Sequence, residues 1–122
     1  MNKAAIYSRV DPTDRTAMPA HKAAAEDLCR SRDWQFVHYS DSGSGTRPPL
    51  QFAHQSQLIR PGLTRLINEV EAGRIDAIIP SSDDAMGTRA EVLDRLESYL
   101  HEKGFTRQTC PGAITHYYQR SE

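Results

Sequence analysis

Ile75-Asp76-Ala77-Ile78-Ile79-Pro80 is the stretch on which the fold turns. A short continuous apolar run, without polar alternation, marks a strand covered on both faces, as in a parallel sheet between two helical layers. Just upstream, Pro61 suits the first turn of a helix, and Leu63, Leu66, Ile67 and Val70 follow at core spacing until Gly73 closes it. Just downstream, Thr88 to Lys103 reads as an amphipathic helix with Val92, Leu93, Leu96 and Leu100 on one face and Gly104 as its cap. Toward the amino terminus, Ala4 to Val10 is a buried strand closed by Asp11-Pro12. A helix from about Ala20 to Arg32 then carries Ala23, Ala24, Leu28 and Cys29 on an apolar stripe. Trp34 to Tyr39 alternates as a second strand. A last short strand runs from Phe105 to Gln108.

This alternation predicts a single α/β domain with a mainly parallel four-stranded sheet and helices on both faces. The domain is expected over residues 1–108. Residues 109–122 show no convincing period and are expected to be a tail, either an interface or disordered. Residues 40–59 read as a loop, because Asp41-Ser42-Gly43-Ser44-Gly45-Thr46 is turn chemistry and Arg47-Pro48-Pro49 opposes helix. So long a loop in a compact domain points to function or to mobility.

Composition limits the partners. The chain has 122 residues, one domain's worth, with 38% hydrophobic and 25% charged residues, which is ordinary globular composition. No apolar run approaches a membrane span and no leader opens the chain, so a cytoplasmic protein is expected. Cys29 and Cys110 make neither a disulfide framework nor a zinc site. The net charge of −1 makes tight DNA binding by this chain alone a poor expectation. The 15 basic residues are 12 Arg and 3 Lys, and arginine is the better bidentate ligand for phosphate, although a GC-rich genome gives the same bias.

In a parallel sheet, ligands gather at the carboxyl ends of the strands. Those ends carry Arg9 and Asp11, then Asp41 to Thr46, then Ser81-Ser82-Asp83-Asp84. Arginines and small polar residues there suggest a phosphate-handling edge, and Ser44 in the Gly43–Thr46 turn offers backbone amides to an anion. Solvated strand ends are also polar for no functional reason.

The motifs in order resemble the serine recombinases, the resolvase/invertase and large serine integrase family. Tyr7-Ser8-Arg9-Val10 with Thr13-Asp14-Arg15 is similar to the family's opening. Tyr39-Ser40-Asp41-Ser42-Gly43-Ser44-Gly45-Thr46 is similar to its second strand and glycine-serine loop, and Arg60-Pro61-Gly62-Leu63 to its Arg-Pro-Gly-Leu helix start. Ala72 to Ile79 is similar to its third strand. The resemblance implies a resolvase-like catalytic-domain fold and DNA phosphoryl transfer. In that reaction a serine hydroxyl attacks the backbone phosphate, and arginines, without a metal, stabilise the transition state.

Several positions depart from that pattern. The family serine follows Arg-Val directly, where this chain has Asp11 and Pro12. Thr13 is the remaining candidate hydroxyl, since Ser8 lies inside the strand. After the third strand the family has Asp-Arg-x-x-Arg, but Asp83-Asp84-Ala85-Met86-Gly87-Thr88-Arg89 loses both arginines whether Asp84 or Asp83 is the family aspartate, leaving Arg89 as a displaced cation. His21 stands at a family glutamine. Arg9 and Arg60 alone match the family's arginines.

The expected reading is therefore a catalytically degenerate, stand-alone recombinase-like domain with no cofactor and no bound metal. It is expected to act through protein–protein interaction, as a homodimer or with a recombinase or DNA-bound regulator. Leu93, Leu96 and Leu100 on the last helix, with Tyr117 and Tyr118, are the candidate interface. Two alternatives stand beside it. One is residual strand cleavage through Thr13 with Arg9, Arg60 and Arg89. The other is a divalent-metal phosphoesterase built from Asp11, Asp41, Asp83 and Asp84 with Mg²⁺ or Mn²⁺, residues that also serve as ordinary turn and cap residues.

Overall fold

The computed structural model describes residues 2–10, 18–42, 60–80, 90–109, 112, 114 and 116–120. Among the described residues, five strands and three helices follow in the order β1 (Lys3–Val10), α1 (Met18–Ser31), β2 (Gln35–Ser42), α2 (Pro61–Glu71), β3 (Ala77–Pro80), α3 (Ala90–Glu102), β4 (Phe105–Thr109) and β5 (His116–Arg120). They build one sheet in the order β2-β1-β3-β5-β4. β1 lies parallel to both β2 and β3, with Tyr7 opposite Tyr39 on one side and Pro80 on the other. The expected α/β architecture is present, with one strand more than the sequence predicted.

Side-chain alternation along β1 divides the core. Ala5 and Tyr7 join Leu63, Leu66, Ile67, Leu96, Leu100 and Tyr118 beneath α2 and α3. Ala4 and Ile6 join Ala25, Cys29, Trp34 and Tyr117 beneath α1. Each fully buried Leu or Ile is worth about 1.5–3 kcal/mol. The two faces of one strand thus hold both helical layers.

The additional strand corrects the reading of the tail. Residues 116–120 form β5, antiparallel to β3 on one side and to β4 on the other. β4 therefore does not pair with β3. Tyr117 and Tyr118 are 4% and 2% exposed, and Leu96 and Leu100 are 0% and 1% exposed. These four candidate interface residues are core of the chain itself, and Leu93 packs half-buried against the same cluster. Within 116–120, His116, Tyr117 and Tyr118 are buried in succession, the pattern of an inner strand loaded on both faces. A second correction concerns β2, which runs on to Ser42, so Asp41 belongs to a strand and not to a loop.

Cys29 is completely buried beneath the sheet. Burial, with Glu26 adding to it, pushes its thiol up to about 11. The raised value means that the folded state prefers the protonated thiol. Its contribution is complete below the ordinary thiol value of 9.0 and is lost as pH rises through about 11. In a Cys110→Ser variant, Cys29 is expected to resist a thiol reagent at pH 8 until urea unfolds the protein. Prompt reaction of the native protein would contradict this placement.

Candidate functional site

β1 and β2 end side by side, with Arg9 opposite Asp41 in the parallel register. Residues paired across a sheet share a face, so Arg9, Tyr7, Tyr39 and Asp41 all belong to the α2 side. The amino terminus of α2 closes over them. Its own N-cap residue, Arg60, has no side-chain capping bond. The cap comes instead from β2: Asp41 Oδ1 accepts the Gly62 N–H at 2.6 Å and Oδ2 accepts the Leu63 N–H at 2.8 Å. A carboxylate at this end also meets the positive end of the helix dipole.

Asp41 Oδ2 also accepts the Tyr7 hydroxyl at 2.8 Å. Arg60, 1% exposed, donates through Nη1 to the Tyr7 oxygen at 3.4 Å, with its guanidinium 5.9 Å from the Tyr7 ring centre. Burial pushes the Tyr7 phenol far above its usual value; the neighbouring Arg60 opposes this and Asp41 reinforces it. Burial lowers Arg60, against the pull of Tyr7 and Asp41 and together with the repulsion of Arg9. Arginine stays charged regardless. The result is a buried tyrosine–carboxylate–guanidinium set in which the aspartate spends its oxygens on three donors.

Gly62 makes this approach possible. A Cβ built there would lie 2.4 Å from the backbone oxygen of Ser40 and 3.0 Å from Asp41 Oδ1. The helix start touches β2 with no room for a methyl group. Ser8 points to the other side of the sheet, and among the described residues its fully buried hydroxyl has no hydrogen-bond partner. It is on the opposite face from Arg60.

Of the residues singled out in the sequence, Arg9, Asp41 and Arg60 come together at the carboxyl edge. Asp11, Thr13, Ser44, Asp83, Asp84 and Arg89 lie outside the described residues. Among the described residues no group of three His, Cys, Asp or Glu side chains is placed to hold a metal. No helix among them is long and apolar enough to cross a membrane. Tyr7 and Gly62 belong to the site and were not singled out as members of it. A polar-tipped aromatic inside an otherwise apolar strand was the available signal for Tyr7. For Gly62 it was a glycine one residue after a helix-starting proline, where helix propensity disfavours it.

The strand order β2-β1-β3, with helices passing to opposite faces, defines a doubly wound α/β domain, an architecture in which ligands gather at the carboxyl ends of the strands. The family model for the resolvase N-terminal domain matches residues 4–110, and the chain belongs to this family of serine recombinases. β5 lies beyond the matched residues. A comparison with curated proteins finds no match.

Proposed function

We propose that this chain is a serine-recombinase-family domain that has given up strand cleavage and acts by association, with another copy of itself or with a recombinase or DNA-bound regulator. The observation that carries this reading is the use made of the surviving family residues. Arg60 is buried against Tyr7, and Asp41 accepts from two N–H groups at the start of α2 and from the Tyr7 hydroxyl. Both serve the fold. Asp11 in place of the family serine supports the same reading, because a carboxylate repels a DNA phosphate and makes a poor nucleophile toward it. Losing one electrostatic group at such a site costs about 10²–10³ in rate. This sequence lacks the nucleophile and two arginines of the family pattern.

The test is a covalent-adduct assay. The protein is incubated with nicked duplex DNA carrying family-type crossover sequences and run on a denaturing gel. No protein–DNA adduct is expected. An adduct that disappears in a Thr13→Ala variant would overturn the reading and restore the chain as a recombinase.

A further inference from the structure

The sheet has two edges, β2 and β4. β4 is five residues long, Phe105-Thr106-Arg107-Gln108-Thr109, and all but Phe105 are exposed. It has neither proline nor lysine to block edge pairing, and its one charged side chain is Arg107. Among the described residues its outer edge has no strand partner. We propose that a second copy of this chain pairs there, β4 running antiparallel to β4 about a two-fold axis through Arg107.

The residues of β4 are complementary to themselves in this register. With Arg107 on the axis, Thr106 lies opposite Gln108 of the other copy, and Phe105 lies opposite Thr109. Thr106 and Gln108 already form a hydroxyl–amide pair within one strand, at 3.0 Å. Across the axis the same two groups meet twice. On the helical face two arginines would oppose each other, and there α3 supplies the counter-charge. Arg107 Nη1 lies 3.5 Å from Glu97 Oε1, so the axis would gather two arginines and two glutamates with no net charge.

The placement of α3 puts Glu97 on the correct side. Leu96 and Leu100 face the core. Tyr99 and Lys103 reach across to Glu71 of α2. Helical spacing then sends Glu97, and with it Asp94 and His101, to the side away from α2, over the free edge of β4. Two acidic side chains, Glu97 and Asp94, beside a strand whose one charge is Arg107 fit its own two-fold copy. An odd register offset would set a helix-side residue against one from the α1 side, so the pleat selects this family of registers.

This surface rests on the reading that the chain works by association, and its failure is separable from that reading's failure. Light scattering is recorded from low micromolar to hundreds of micromolar protein. A reversible dimer is expected. Thr106→Lys with Gln108→Lys places lysines opposite one another twice and is expected to weaken the dimer about tenfold or more. Thr106→Glu with Gln108→Lys turns both contacts into opposite-charge pairs and is expected to keep the dimer. Arg107→Cys in a Cys110→Ser background is expected to cross-link two chains on oxidation, since paired Cα atoms in such a ladder lie about 4.5–5.5 Å apart. A monomer throughout, a dimer indifferent to the lysine pair, or a dimer that does not cross-link at 107 would each overturn the proposal. Those outcomes leave the loss of cleavage to be decided by the DNA adduct assay.

Discussion

Gly62→Ala is expected to be the most damaging small substitution in the described chain. The added methyl carbon would sit 2.4 Å from the Ser40 carbonyl oxygen and 2.9 Å from its carbon. Both atoms are backbone of a strand hydrogen-bonded into the sheet, so neither can turn aside as a side chain would. Relief requires α2 to retreat from β2, which lengthens both bonds from Asp41 to the helix start. Overpacking against rigid structure costs about 3 kcal/mol or more, and for a domain of this size that lowers Tm by about 15 °C. Gly73→Ala is the control. It has φ +74° but no neighbour within 4 Å of a new Cβ, so only the left-handed backbone penalty of about 1 kcal/mol applies. Thermal melts that rank the two alike would refute the close approach at Gly62.

Asp41→Ala is expected to cost a comparable amount, by a different route. The carboxylate serves the N–H groups of Gly62 and Leu63 and the Tyr7 hydroxyl, all buried. Its removal leaves three donors without that acceptor and takes away a negative group that offsets the buried Arg60 charge. Breaking one side of a buried charged set costs about 3–5 kcal/mol. Asp41→Asn retains the shape and one acceptor oxygen and is expected to lose roughly half as much, since a charged hydrogen bond is worth about 1.5–3 kcal/mol against about 1 for a neutral one. Denaturant melts of the two variants test the ordering. Equal stability for Asp41→Ala and the unsubstituted protein would show that the cap is not formed.

The central strands and helices were legible because their signals are local. Ala77-Ile78-Ile79 between turn signals has the pattern of a strand covered on both sides, and Pro61, Leu63, Leu66, Ile67 and Val70 mark both the start and the buried stripe of α2. β5 was not legible. Its Tyr117 and Tyr118 read as a paired surface feature, and only the space between β3 and β4 makes them core. The apolar stripe of α3 was correctly found, but a sequence does not state whether such a stripe faces its own sheet or another chain. The site was half legible for the same reason. Arg60 was visible through its motif, while its burial against Tyr7 depends on a contact 53 positions apart in the chain. Asp41 in a run of small polar residues looked like a turn, and its capping of a helix 20 residues away is a tertiary fact.

Under the proposed function, the family arginine at position 60 serves the fold and not a DNA phosphate. Arg60→Met keeps much of the side chain's length and volume while removing its charge, and the decisive measurement is its stability set beside its affinity for a short duplex at low salt. A marked loss of stability is expected, about 3 kcal/mol as for other broken buried charge sets, with duplex affinity of the folded protein unchanged. Unchanged stability with a tenfold or greater loss of duplex affinity would contradict it and return Arg60 to the phosphate.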